Sequence, residues 1–214
     1  MDKKDRALLT INTLRRLYPD ISNELCLNFD REKPWQLLFA ARLSAQCSDI
    51  RVNSVTPILF STFPTLEDFA AADIEAIEEI VKPCGLYKVK AKNLKDAAVI
   101  LVGEFNSKLP DNIEDLLKIP GIGRKTANLI IGDIYKKPAL IVDTHFIRIS
   151  KRLGLTDKIS AEVIERELLE LIPPDESADF CHRIVFFGRE YCTARSPNCR
   201  ECPLEEFYIC QLSI

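Results

Sequence analysis

No apolar run in these 214 residues approaches the length that a membrane-spanning helix needs. The first residues, MDKKDRALLT, hold charge but neither the apolar centre nor the small-residue cleavage site of a secretory leader, so a cytoplasmic protein with no membrane partner is expected. Strand-like runs are scarce. PALIVDTHFIRI has the residue types of a strand, but one strand alone has nothing to pair with. An irregular turn leading into a helix from about Thr144 is expected there instead. Internal repeats, low-complexity tracts and obvious linkers are missing as well. Nor is there an excess of positive charge: the net charge is −3, which at first argues against a nucleic-acid partner.

The distribution of charge says otherwise. Between Lys82 and Arg152, fourteen Lys and Arg stand against seven Asp and Glu, a local +7 that leaves −10 for the rest. A basic middle between acidic ends suits phosphate on one face, although a charge run is also an ordinary solvated surface. Apolar residues recur at helical spacing from Asp5 to Tyr18, over Trp35–Leu43, at Ala127, Ile130, Ile131 and Ile134, and at Ile164, Leu168, Leu171 and Ile172. Thr65 with Asp68 has approximately the spacing of a capping box, Asp73 is a simple N-cap, and Asp111 with Glu114 restores the box spacing. The expected fold class is all-α.

KIPGIGRKTAN, residues 118–128, combines two glycines and a proline with a helix start. Gly121 and Gly123 permit positive φ and close approach of a ligand, and Pro120 stiffens the entry. Outward N–H groups and the positive helix end then form a site for one phosphate, or the stretch is simply a tight interhelical turn. GRKT is not a nucleotide-binding P-loop, because Arg124 replaces the required glycine and no strand precedes it. Apolar-Pro-Gly-apolar-Gly between helices, with Leu116-Leu117 ending the first, fits a helix–hairpin–helix, which grips a DNA backbone without reading sequence.

Eight cysteines are many for a cytosolic chain. Cys26, Cys47, Cys84 and Cys181 are scattered and read as small buried residues. The others form Cys192-x6-Cys199-x2-Cys202-x7-Cys210. Four thiols this close in a reducing compartment favour a metal centre over disulfides, and thiolates suit both zinc and an iron–sulfur cluster.

Taken together, LSAQCSD at 43–49, GLYKVKAKNL at 85–94, the hairpin, VDTH at 142–145, CHRIVFFGREYC at 181–192 and the cysteine tail resemble the endonuclease III family of DNA glycosylases and AP lyases. The similarity covers nearly the whole chain. It implies two helical domains flanking a DNA-binding cleft: 27–137, with six helices and the hairpin, and 1–26 joined with 138–214, carrying a [4Fe–4S] loop at 192–210. The family's x6 and x2 spacings favour iron–sulfur over zinc. Its last spacing is usually five residues, so the seven before Cys210 require a longer turn.

The resemblance also implies the chemistry. Lys125 matches the catalytic lysine and Asp143 the catalytic aspartate. The free amine of Lys125 would attack C1′ of a flipped nucleotide, expel an oxidised pyrimidine and leave a Schiff base, from which β-elimination nicks the strand. Asp143 would stabilise developing positive charge and help to move protons. Arg124 and the positive helix end both disfavour the ammonium form. Gln46 and Leu86 match residues that fill the gap left by the flipped base and wedge the opposite strand, with a structural hydrogen bond or core packing as their plain alternatives. Asp49 and His145 match residues near the site, and Arg195 and Arg200 lie in the cysteine loop. Lys88, Lys90, Lys92 and Lys95 are read either as phosphate contacts or as a solvated face. The partner it implies is double-stranded DNA with damaged bases or abasic sites, bound by a monomer expected to be nucleoid-associated in the cytoplasm. A monofunctional adenine or mismatch glycosylase, which lacks the lysine, and a non-catalytic hairpin protein are the alternatives.

Overall fold

The computed structural model describes residues 1–20, 27–205 and 210, and among these no strand occurs. No helix among them is long and apolar enough to cross a membrane. The chain divides into two compact units, Leu25–Ile130 and Met1–Glu24 with Ile131–Ile214. Cys26 lies outside the described residues.

The unit Leu25–Ile130 holds α2 (Trp35–Leu43), α3 (Asp49–Thr62), α4 (Leu66–Ala71), α5 (Ile74–Val81), a single 3₁₀ turn Lys82–Cys84, α6 (Tyr87–Phe105) and α7 (Ile113–Leu116). It also holds the start of α8 (Arg124–Asp133). Its core is aromatic: Phe39 and Phe69 meet edge-on at 4.9 Å, and Trp35 lies 5.3 Å from Phe39 and 5.6 Å from Phe69. These offset geometries satisfy the ring quadrupoles while burying large apolar surfaces. Along α6 the buried stripe is Lys90, Ala91, Leu94, Ala97, Ala98 and Leu101, and the alanines let α4 and α5 pack close.

Helix starts follow their caps. The Thr65–Asp68 box is complete: the Thr65 hydroxyl accepts from Asp68 N at 3.1 Å and the Asp68 carboxylate accepts from Thr65 N at 2.9 Å. Asp73 occupies the N-cap of α5 without a side-chain cap bond. The expected Asp111–Glu114 pairing is displaced by one residue. Asn112 caps α7, its amide oxygen accepting from Asp115 N at 2.9 Å, because Asn is an equally strong N-cap in the better register. Two lysines read as phosphate contacts or solvated groups are neither: Lys90 is buried, and Lys95 Nζ donates to the Ala72 carbonyl at 2.6 Å. Cys84 and Cys181 are buried, whereas Cys47 is half-exposed beside the turn that follows α2.

The second unit contains α1 (Lys3–Leu17), α9 (Thr144–Arg152), α10 (Ala161–Leu169) and α11 (Ser177–Glu190), with 3₁₀ turns at Pro174–Glu176 and Cys199–Glu201. Asp2 caps α1, accepting from Asp5 N at 2.7 Å. The central helix is α11, which packs on both α1 and α9. Gly188 makes the second contact possible: a Cβ there would meet His145 Nδ1 and Ile149 Cδ1, each at 2.7 Å. The strand-like stretch before α9 is irregular, as its isolation implies. Its N–H groups bond to α11 side chains instead of a ladder, Ala139 N to Ser177 Oγ at 3.1 Å and Ile141 N to Cys181 Sγ at 3.2 Å.

Candidate functional site

In the unit Leu25–Ile130 the hairpin forms at the end of α7. Ile122 N donates to Ile119 O at 3.1 Å, and the first helical bond of α8 runs from Ala127 N to Gly123 O at 3.0 Å. The two glycines do different work. Gly121 has φ +78°, and a Cβ on it would lie 2.6 Å from Arg42 Nε and 2.7 Å from the Asn93 amide. That amide, oriented with its oxygen toward the guanidinium, accepts from Arg42 Nε at 3.0 Å and Nη2 at 2.5 Å, so the turn rests on a tied pair. Gly123 does not use the positive φ open to it, and no atom comes within 4 Å of its Cβ position. What its missing side chain provides is an open outer side, next to the exposed Arg124 and Lys125 in the first turn of α8.

This separates two substitutions. Gly121→Ala is expected to lose about 1–3 kcal/mol of stability through left-handed strain and the Arg42–Asn93 contact. Gly123→Ala should melt like the parent yet bind undamaged duplex more weakly, because its methyl stands where a phosphate would approach. Thermal unfolding and titration with duplex, run on both variants, check the pair. Equal melting of the two would contradict the assignment.

Two other candidates in this unit share an unusual backbone. Gln46 is exposed with φ +55°, and Leu86 is 60 % exposed with φ +49° and ψ +31°. A left-handed conformation disfavours any residue with a Cβ, most of all a bulky apolar one, and such strain clusters where backbone shape serves a ligand. Leu86 is therefore no core residue, and an exposed leucine on a strained turn is suited to leave water for an apolar gap.

The second unit carries Asp143, the N-cap of α9. Its Oδ1 accepts from Phe146 N at 2.8 Å, which fixes the carboxylate against the helix start. His145, the second residue of the same helix, is half-buried under Gly188, with its Nδ1 3.2 Å from Arg148 Nη2. Sequence reasoning passed over the far end of α9. Arg148 Nη2 donates to Cys192 O at 3.0 Å, while Arg152 Nη1 donates to Cys192 Sγ at 3.2 Å and to Thr193 O at 2.7 Å. The i, i+4 spacing of two arginines on the helix that Asp143 caps was the available signal.

Among the described residues no disulfide joins the four tail cysteines, and their chemistry fits a cluster. Burial pushes the Cys202 thiol above its ordinary range, and against a backbone hydrogen bond at Leu204 the sulfurs of Cys192, Cys210 and Cys199 add to the rise, which puts those three within electrostatic reach of Cys202. The cation on Cys192 Sγ suits a thiolate. Among the described residues no three His, Cys, Asp or Glu side chains converge on a point to hold one ion. In a [4Fe–4S] cluster each thiolate meets its own iron, so convergence on a point is not required.

A family model for the HhH-GPD superfamily of base excision DNA repair proteins matches residues 39–174, and one for the iron–sulfur binding domain of endonuclease III matches 192–207. Endonuclease III of Synechocystis is 42 % identical over 203 residues, 94 % of this chain and 91 % of the relative. Endonuclease III of Escherichia coli is 33 % identical over 203 residues, 95 % and 94 % of the two chains. Among solved structures, a trapped endonuclease III–DNA covalent intermediate, an estranged-adenine complex, superposes with a TM-score of 0.89 at 37 % identity, covering 99 % of this chain and 97 % of the other.

Proposed function

The chain belongs to the endonuclease III family, within the HhH-GPD superfamily of base excision DNA repair proteins, and from this premise we propose which of its residues perform the reaction. It is a bifunctional DNA glycosylase and AP lyase of base excision repair, and it carries a [4Fe–4S] cluster. Its partner is DNA. We take the substrate to be double-stranded DNA bearing an oxidised pyrimidine or an abasic site, bound by a monomer in the cytoplasm, at the nucleoid. The unit with the hairpin and the unit with the cysteine tail are read as two functional domains, one supplying Lys125 and the other Asp143.

Lys125 Nζ attacks C1′, the glycosidic bond breaks, and the base leaves with the bonding pair. Loss of a proton from nitrogen and opening of the sugar give an imine, whose electron demand acidifies C2′. Removal of that proton expels the 3′ phosphate. Asp143 supplies negative charge beside the electron-deficient sugar from a position fixed by its capping bond. Gly121, Gly123 and Arg124 hold a backbone phosphate, Gln46 and Leu86 occupy the gap and part the opposite strand, and His145 orients the start of α9. The observation that carries this reading is Lys125: an exposed lysine in the first helical turn after an open glycine, in a chain similar to one trapped covalently on DNA.

The test is a nicking assay on duplex with thymine glycol beside duplex with an abasic site. Nicking of both supports the bifunctional reading. Release of base without nicking indicates a monofunctional glycosylase, and binding without either product indicates a DNA-binding protein alone.

Cys192, Cys199, Cys202 and Cys210 are the proposed cluster ligands. Held by these thiolates, the cluster would shape the C-terminal loop that carries Arg195 and Arg200. Cys210 lies beyond the matched iron–sulfur segment, so its role rests on its proximity to Cys202. Cys210→Ser is expected to lower iron content and visible absorbance relative to the parent. Full iron in the variant, with Cys210 of the parent open to a thiol reagent in the folded protein, would remove it from the ligand set.

A further inference from the structure

The two turns proposed to enter DNA are joined underneath by one side chain. Lys90, in the first turn of α6, is 1 % exposed. Its Nζ donates to Leu43 O at 2.8 Å and to Cys84 O at 2.8 Å. Leu43 ends α2, and Cys84 ends the 3₁₀ turn before α6. Both carbonyls thus sit at helix ends, where the helix itself offers no donor and the dipole is negative. From Leu43 the chain runs directly into the turn with Gln46, and from Cys84 into Gly85 and Leu86. All three of Gln46, Gly85 and Leu86 have positive φ.

Two considerations separate this lysine from an ordinary structural residue. An apolar side chain of similar length would fill the same space without the desolvation that a buried ammonium suffers. That penalty is visible: burial first, and Arg42 after it, pull the Lys90 ammonium below the usual lysine range, against the opposing pull of the Cys47 and Cys84 sulfurs. Moreover, Gln46 and Leu86 are both exposed, so their own packing does not hold them in the left-handed region. Strained backbone persists only where surrounding groups over-determine it, and the paired charge-assisted bonds from Nζ are such groups.

We propose that Lys90 is a positioning residue for strand penetration, its ammonium locking the Leu43 and Cys84 carbonyls so that Gln46 and Leu86 are held outward together. This rests on the reading of Gln46 and Leu86 given under Proposed function. Lys90 touches neither DNA nor the reacting atoms; it acts through the two turns.

The test compares Lys90→Met, which keeps the buried stem and removes the donors, with Lys90→Arg, which keeps donors. A duplex carrying a tetrahydrofuran abasic analogue opposite 2-aminopurine reports displacement of the opposite base as a rise in fluorescence. Lyase activity is measured on an abasic site in intact duplex and on the same site facing a one-nucleotide gap, where no base needs displacing. Lys90→Met is expected to lose the fluorescence rise and about ten- to a hundredfold in kcat/KM on intact duplex. On the gapped substrate it should match the parent, and Lys90→Arg should recover most of the duplex loss. A residue that merely stabilised the fold would lower both substrates together, and that result, or no loss on either, overturns the proposal. If Lys90→Met does not fold, Lys90→Gln, neutral and one atom too short to reach both carbonyls, gives the same comparison. A parent protein without the fluorescence rise would sink the reading of Gln46 and Leu86 and this inference with it. A parent with the rise, matched by Lys90→Met, would sink this inference alone.

Discussion

Asp143→Asn is expected to slow base removal by about 10²- to 10⁴-fold while leaving the unfolding midpoint unchanged. The reasoning rests on the double duty of this side chain. Its Oδ1 accepts from Phe146 N at the start of α9, and an asparagine oxygen accepts the same bond with equal capping strength. What disappears is the negative charge proposed to face the electron-deficient sugar. Asp143→Ala removes charge and cap together and should lose a further ~1 kcal/mol of stability. Single-turnover excision of thymine glycol, with thermal unfolding of both variants, separates the two roles. Parental excision by the Asn variant would leave Asp143 as a cap and nothing more.

Lys125→Ala is expected to abolish the covalent protein–DNA adduct that borohydride traps during turnover, and with it strand nicking. The fold should tolerate this change well. Lys125 is exposed in the first turn of α8, and alanine is the strongest helix former. A lysine that only touched phosphate would behave differently. Its loss would weaken binding to all duplexes and reduce the salt slope by about 1, while a residual adduct formed through some other amine. An undiminished adduct yield in Lys125→Ala would therefore reassign the nucleophile.

The helical class and several helix starts are legible in the chain itself. Apolar spacing marks α1 and α2, and the Thr65–Asp68 pair announces α4 because both partners of the cap lie within one turn. The longest described helix, α6, escapes such a reading. One position of its buried stripe is Lys90, and pattern analysis assigns a lysine to the wet side of a helix. Likewise α3 hides behind Pro57 in its interior. At the site, the roles proposed for Lys125 and Asp143 come from the family resemblance, whereas residue type and spacing by themselves single out only the cysteines and the glycine turn. They do not distinguish Gly121 from Gly123, because φ is set by what packs against the turn, here Arg42 and Asn93. The bridge from Lys90 to Leu43 and Cys84 depends on a contact across 47 positions of sequence, which no local pattern encodes.

Leu86 has a consequence for anyone who breeds this protein for heat resistance. A leucine in the left-handed region stores about 1–2 kcal/mol that a glycine would release, and its exposed side chain returns little by packing. A screen that rewards survival at high temperature, with no DNA in the assay, would thus favour glycine at this position early. The resulting enzyme would outlast its parent in the tube and lose the wedge proposed for Leu86. Selection at this site needs damaged DNA present from the first round.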